Sequence, residues 1–240
     1  GICETGLLSE PTQYNHSTFF GDSTGYNAYA DNLIIIGSQG NIEGQSGENM
    51  SLTSGKDNIF VGFLCGYNVV DGEMNVYIGN KTGYYNQGGN HNICIGYESG
   101  YGTNESGGEN NGSSNIFIGR SSGSSITSGS GNILFGHYSG KSLTSGSYNV
   151  LLGTQNPSEE ETSLVTTNYS TYIGNESGYY NIGNNNICIG YNSGVEESST
   201  ETNKLYIDNE RKGRLSLIYG EFNQNEGSVT INGDLHLQGN

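Results

Sequence analysis

Positive charge is scarce in this chain of 240 residues, where eight lysines and arginines stand against 24 acidic residues and leave a net charge of −16. Such a chain offers no basic surface to nucleic acid or to an anionic membrane. No apolar run is long enough to span a bilayer, so we expect no membrane insertion. Tryptophan is absent and hydrophobic residues make up only 32% of the chain, which favours a thin, stacked core over a globular one.

Motifs of catalysis and cofactor binding are also missing. The sequence has no phosphate-binding loop, nucleophile elbow or zinc-ligand spacing, and its four histidines are scattered. Carboxylates are adjacent at Glu196–Glu197 and Glu159–Glu161, in turn-like stretches. We interpret them as solvated charge and not as the acid pair of a glycan-cleaving enzyme. We therefore expect no enzymatic activity, no metal and no cofactor.

What the chain does contain is one short repeated sequence motif, which consists of an asparagine, an apolar triplet and a glycine. Most copies continue with three residues and a second glycine. The clearest copies span residues 58–62, 75–79, 92–96, 115–119, 132–136, 149–153 and 186–190. Successive first glycines are 17 residues apart in the cleanest steps, as from Gly62 to Gly79 (79 − 62). A period this short, with glycine-rich turns and no helical periodicity, predicts a solenoid of short strands.

We predict an all-β fold in which residues 17–208 form a parallel β-solenoid, or β-roll, of about ten short coils. At about 4.8 Å per coil this makes a rod of roughly 50 Å. The glycines should take positive φ at the turns, and the asparagines should stack as a hydrogen-bonded ladder. Residues 1–16 form an N-terminal lead-in. In residues 209–240, apolar residues alternate with polar ones at Leu215, Leu217 and Tyr219 and at Val229 and Ile231, which predicts a small β neck of about three strands in which three chains interlock.

The middle residue of the triplet carries the prediction about assembly. Strand neighbours point to opposite faces, so if Ile93 and Ile95 fill the coil, Cys94 points outward. An apolar stripe along a rod must be covered, and identical chains provide the simplest cover. We therefore predict a homo-oligomer whose interface is formed by the middle residues Phe19, Ile35, Phe60, Tyr77, Cys94, Phe117, Leu134, Leu151, Tyr172 and Cys188.

Cysteine usage indicates buried thiols. Cys94 and Cys188 occupy the same repeat position five coils apart, roughly 24 Å along the axis, which is beyond the reach of a disulfide. Cys3 and Cys65 have no partner at a metal-ligand spacing. We expect Cys94 and Cys188 to behave as buried small apolar residues.

Three inserts lengthen individual repeats, at Gly40–Asp57, Tyr101–Ser114 and Gln155–Tyr169. Such insertions emerge as loops on a solenoid and carry function more often than the scaffold does. Simple solvated bulges are the alternative. The candidate receptor-binding residues in these loops are Tyr101, Asn104, Glu105, Glu109, Asn110, Glu159, Glu160 and Glu161.

The repeated Asn-x-x-Ile-Gly-x-x-Ser-Gly phrase resembles the head repeats of trimeric autotransporter adhesins, which are left-handed parallel β-rolls. It is still more similar to arrays in viral and phage tail-fibre proteins, where a tail like Asn203–Asn209 often precedes an endosialidase-type intramolecular chaperone. The adhesin repeat differs in being shorter and in having small middle residues. The resemblance implies a homotrimer outside the cell, on a virion surface or, alternatively, on a bacterial cell surface.

These features together favour a structural and binding segment of a trimeric fibre that attaches to a cell-surface receptor, a glycan or a protein. Tyrosines after the second glycine, such as Tyr84 and Tyr101, offer platforms for sugar rings, although packing within the rod is the expectation for them. The alternatives are a solenoid enzyme that degrades host polysaccharide, and a pure spacer. An ice-binding solenoid would need an exposed threonine ladder, which the sequence lacks.

Overall fold

A computed structural model of the chain describes residues 16–21, 31–38, 55–103, 111–154, 166–180, 183–194, 200–210, 212–223 and 226–234. These residues form one 13-stranded sheet in which the strands follow one another in chain order. The parallel strands are β1 (Thr18–Phe20), β2 (Ile34–Ile36), β3 (Ile59–Val61), β4 (Val76–Ile78), β5 (Ile93–Ile95), β6 (Ile116–Ile118), β7 (Ile133–Phe135), β8 (Val150–Leu152), β9 (Thr171–Ile173), β10 (Ile187–Ile189) and β11 (Lys204–Ile207). The predicted all-β class and parallel β-solenoid are confirmed.

Each apolar triplet pairs in register with the next, so residues at equal repeat positions stack in columns along the axis. Ile93 pairs with Val76 on one side and with Ile116 on the other. The register is kept even across the long step from β2 to β3, where Ile34 pairs with Ile59. The inserts therefore add length between strands without shifting the sheet.

The side chains of the triplet alternate in the opposite sense to the prediction. Cys94 is 1% exposed and lies in the core, whereas Ile93 is 38% exposed. The reason is the asparagine two residues before the middle position. Asn92 is buried and points into the coil, and residues two apart in a strand share a face.

The predicted oligomer interface is therefore wrong as to its residues. The middle residues form one continuous hydrophobic core inside the single chain, with Phe19 packed against it at one end. They cannot line a contact between copies. The residues that were predicted for the interface and instead belong to the core are Phe19, Ile35, Phe60, Tyr77, Cys94, Phe117, Leu134, Leu151, Tyr172 and Cys188.

The predicted asparagine ladder is confirmed, and it runs through the interior. The side-chain oxygen of Asn75 accepts a hydrogen bond from the backbone N–H of Asn92 at 2.9 Å, and the Asn92 side-chain amide donates to the Gly112 carbonyl at 2.8 Å. The same pattern repeats at Asn115, Asn132 and Asn149. The ladder thus satisfies backbone groups that the thin core would otherwise leave unpaired.

A second ladder, of serine and threonine, was not predicted. The residue before the second glycine donates its side-chain hydrogen bond to a backbone carbonyl of the next coil. Ser99 donates to Phe117 at 3.0 Å and Ser122 donates to Leu134 at 3.0 Å. The serine before the second glycine therefore links neighbouring coils, and its buried hydroxyl is satisfied by the carbonyl that it binds.

The first glycine of each repeat has the positive φ that the sequence predicts. At Gly96, φ is +132°, and a Cβ atom there would lie 2.5 Å from the carbonyl oxygen of Gly119 in the next coil. Glycine is therefore required twice, for the backbone conformation and for the close approach of neighbouring coils.

The parallel stack ends at β11, where the chain reverses. β12 (Ile218–Glu221) runs antiparallel to β11, and β13 (Ser228–Ile231) runs antiparallel to β12. Lys204 and Glu221 form an ion pair at 3.0 Å across β11 and β12. Within the described ranges the one helical element is a 3-10 turn at Gly213–Leu215, and no helix there is long and apolar enough to cross a membrane.

Candidate functional site

Tyrosines from successive coils stack on the flank formed by the turns after the strands. The ring centroids of Tyr67 and Tyr84 are 5.1 Å apart, and those of Tyr84 and Tyr101 are 5.2 Å apart, with nearly parallel planes. Tyr85 meets Tyr84 and Tyr101 edge-on. Burial, followed by the neighbouring tyrosines, raises the pKa of Tyr101 to about 12. These rings form a column that follows the rod axis.

The tyrosine column stops after Tyr101. Tyr84 and Tyr85 are five and six residues after Gly79, and Ser124 and Ser125 hold the same positions after Gly119. The second of these positions is already Gly102 in the coil of Tyr101, and these small residues together leave an open cleft of about 570 Å³ at this point of the rod. The break in the column therefore creates the cleft.

The lining of the cleft combines rings, hydroxyls and charges. Its aromatic residues are Tyr85, Tyr101 and Tyr138, its hydroxyl residues are Thr103, Ser121, Ser124 and Ser125, and its charged residues are Glu98, Arg120 and Lys141. Aromatic faces with a few placed polar groups are typical of sites that bind small polar molecules. Glu98 is the one carboxylate among the described lining residues, whereas glycoside hydrolysis ordinarily uses two.

Two cations of the cleft are held by aromatic rings. The Arg120 guanidinium carbon lies 5.9 Å from the ring centroid of Tyr97 and 5.6 Å from that of Tyr138. The Lys141 ammonium lies 4.5 Å from the ring centroid of Tyr138. The ion pairs found in the described part of the chain involve Lys204, Lys212 and Arg214 but not Arg120. Arg120 is exposed and therefore keeps its hydrogen-bond donors available on the surface.

This placement is unusual for so acidic a chain. Before residue 204 the sequence contains only four cations, Lys56, Lys81, Arg120 and Lys141. Two of those four lie in the cleft. The cleft therefore concentrates the little positive charge that the solenoid carries.

Of the residues predicted to bind a receptor, Tyr101 lies in this cleft. The others, Asn104, Glu105, Glu109, Asn110, Glu159, Glu160 and Glu161, lie outside the described residues. Arg120, Lys141 and the two serines were missed by the sequence reasoning. Aligning the repeats on their first glycines would have revealed the site, because Ser124 and Ser125 stand at two positions that are tyrosine in other coils. Across the residues that the structure covers, no cluster of three His, Cys, Asp or Glu side chains could hold a metal.

A second surface feature is the outward face of the parallel strands. The two residues that flank each middle residue form two columns, named here the outer columns. The first runs Thr18, Ile34, Ile59, Val76, Ile93, Ile116, Ile133, Val150, Thr171, Ile187, Leu205, and the second Phe20, Ile36, Val61, Ile78, Ile95, Ile118, Phe135, Leu152, Ile173, Ile189, Ile207. Only Thr18 and Thr171 interrupt their apolar character.

The outer columns are substantially open to solvent in the single chain. Phe20 is 61% exposed, Phe135 is 55% exposed, and seven isoleucines of the outer columns are between 36% and 41% exposed. Monomeric soluble proteins rarely expose continuous apolar patches larger than a few hundred Å². An apolar stripe does exist on the rod, as predicted, but it consists of the flanking residues.

Comparisons of the chain with known protein families, with curated proteins and with solved structures find no match.

Proposed function

We propose that the chain is the rod of a homotrimeric fibre that projects from a virion, or alternatively from a bacterial cell, and attaches to a glycan on a host surface. The observation that carries this proposal is the cleft at Tyr101, where rings, hydroxyls and cations meet on an otherwise acidic rod. The thin solenoid suits a projecting part, because its length grows by repetition and each coil contacts only its neighbours.

The outer columns support the association of identical chains. Their side chains repeat at the spacing of parallel strands, about 4.8 Å, along the eleven strands from β1 to β11. A surface with the same spacing matches them row by row, and a second copy of this chain has such a surface. Three copies arranged around a common axis would cover the stripe of every chain.

The cleft stays accessible in such an assembly. Its residues belong to the turns after the strands, such as Arg120 and Ser124, and not to the outer columns. Each trimer would therefore present three equivalent clefts. Single sugar contacts are weak, with dissociation constants near the millimolar range, and three sites on one particle raise the overall strength by avidity.

Binding of the purified protein to an array of cell-surface glycans tests this function. We expect a defined subset of glycans to retain the protein, and the same glycans in soluble form to compete. Parallel incubation with polysaccharide reports whether the chains are shortened. Retention by no glycan and no attachment to host cells would contradict the proposal and leave the spacer role, and shortened chains would favour the enzyme.

A further inference from the structure

The tyrosine column breaks at the position where its next stacked ring would lie. Tyr67, Tyr84 and Tyr101 follow one another at 5.1 and 5.2 Å, and the next position of the column is Ser124. Stacked rings prefer centroid separations within about 4.5–7 Å. A sugar ring placed over Ser124 would therefore continue the column and contact Tyr101, whose neighbours Tyr84 and Tyr85 fix its orientation.

The charges around the gap select for an anionic substituent. Arg120 and Lys141 come from two successive coils and line the same cleft, where Glu98 is the one carboxylate among the described lining residues. Contacts with Tyr97 and Tyr138 hold the two cations over rings, which reduces the entropy lost when they bind a ligand. The planar guanidinium of arginine matches the geometry of carboxylate and of oxyanions such as sulfate.

The surrounding charge limits how much negative charge the ligand can carry. A chain with a net charge of −16 repels an extended polyanion such as nucleic acid. One anionic group on an otherwise neutral ring is accommodated, because the local cations face it and the hydroxyls of Thr103 and Ser125 suit the ring hydroxyls. The chemistry of the cleft thus matches a monoanionic sugar.

We propose that this cleft binds a sugar ring bearing a carboxylate or sulfate group, with the ring stacked on Tyr101 and the anion held by Arg120 and Lys141. The inference rests on the proposed attachment function and specifies its ligand. Ser124 and Ser125 act as determinants of the site, because their small side chains leave room for the ring.

Saturation-transfer NMR with matched glycosides tests the ligand class on the full chain. The probes are methyl β-D-glucuronide, methyl β-D-glucoside 6-sulfate and uncharged methyl β-D-glucoside. We expect at least one anionic glycoside to bind at least tenfold more tightly than the neutral one, with saturation strongest at ring protons. The tighter of the two identifies the anionic group. Equal binding of all three, or binding of none, would overturn the proposal.

Two variants test the position of the site. Arg120→Gln should reduce binding of the anionic glycoside to the level of the neutral one, whereas Lys81→Gln, a cation outside the cleft, should leave it unchanged. Ser124→Tyr should complete the tyrosine column and abolish binding of every glycoside. Circular dichroism checks the fold of each variant, and if Ser124→Tyr does not fold, Arg120→Gln alone decides. Unchanged binding in folded Arg120→Gln would overturn the assignment.

Glycan-array binding of the same variants separates this inference from the attachment function. Loss of array binding in Arg120→Gln and its retention in Lys81→Gln support both. Retention of array binding in a folded Arg120→Gln would move the receptor site elsewhere on the fibre and reject the cleft while leaving attachment intact. Failure of the wild-type protein to bind any glycan would reject both.

Discussion

Gly123 lies directly against the ring of Phe117, the middle residue of the strand that precedes it in the same coil. A Cβ atom at Gly123 would stand 2.9 Å from two carbons of that ring, and φ there is +59°. The second glycine of the repeat therefore makes room for the side chain that fills the coil. The same close approach occurs at Gly66, Gly83 and Gly178, where an added Cβ would meet the rings of Phe60, Tyr77 and Tyr172.

Gly123→Ala should destabilise the fold by at least about 2 kcal/mol, because the methyl group collides with a core ring and the backbone is left-handed. Gly227→Ala is the matched control. It stands in open surroundings, with its nearest neighbour 3.4 Å from the added Cβ, and should change stability by no more than about 0.5 kcal/mol. Urea unfolding measures both. Equal stability of the two variants would argue against the packing of Phe117 on this glycine.

Asn115→Ala should lower the free energy of unfolding by about 3 kcal/mol, which is more than the roughly 1 kcal/mol that one hydrogen bond contributes. The Asn115 side chain accepts from the backbone of Asn132 and donates to the carbonyl of Gly129, and its loss leaves both buried groups unpaired. Asn80→Ala is the control, because the Asn80 side chain accepts one exposed hydrogen bond, from Phe63 at 3.3 Å. Denaturant midpoints for the pair report the difference. An unchanged denaturant midpoint for Asn115→Ala would mean that water replaces the hydrogen bonds of the Asn115 side chain.

Tyr77→Phe and Tyr172→Phe should change stability in opposite directions. The buried Tyr77 hydroxyl makes no hydrogen bond of good geometry within the described ranges. Burial raises the pKa of Tyr77 well above its ordinary value and outweighs Asn92, which lies near enough to favour the charged form. Tyr172 is equally buried, but its hydroxyl interacts with Ser170 and Thr167. Tyr77→Phe should gain about 1 kcal/mol and Tyr172→Phe should lose about the same. Thermal unfolding compares them, and the same sign for both would contradict the assignment of partners.

The thiols of Cys94 and Cys188 should react slowly in the native protein. Both are at most 1% exposed, and burial raises the pKa of Cys94, so little reactive thiolate is present. Ser128→Cys adds an exposed thiol for comparison. Iodoacetamide labelling read peptide by peptide should show the added thiol reacting orders of magnitude faster. Fast labelling of Cys94 would mean that the middle position faces outward after all.

The sequence alone was sufficient to predict the solenoid, the positive φ of the first glycines and the asparagine ladder, because each follows from a position repeated many times. It was not sufficient for the orientation of the triplet. Ile93, Cys94 and Ile95 are all apolar, so alternation has no polar residue to mark the solvent face. The inward amide of Asn92 decides the orientation, and that direction depends on its partner, the Gly112 carbonyl.

The cleft could not be predicted by the same route. It arises at one point where Ser124 and Ser125 replace residues that are tyrosine in other coils, so it is a departure from the repeat. Its cations come from different coils, and only the stacking of those coils brings Arg120 and Lys141 together. The uneven spacing of the repeats predicts functional loops in the inserts, and of the candidate residues in those loops Tyr101 lies in the cleft.

Aspartate substitutions at neighbouring positions distinguish the core from the outer columns. Phe117→Asp should prevent folding, because an unpaired charge enters the core of each chain. Ile118→Asp, one residue later in the second outer column, should leave each chain folded and separate the copies by charge repulsion. Circular dichroism reports folding and sedimentation velocity reports association. Folded, associated Phe117→Asp would contradict this division.

The mass of the wild-type protein in solution tests the account most directly, since the fibre requires copies joined along their outer columns. Multi-angle light scattering at micromolar concentration should give three times the chain mass of 25.6 kDa. A single-chain mass under these conditions would contradict it, because the apolar outer columns would then be stable in water without a partner.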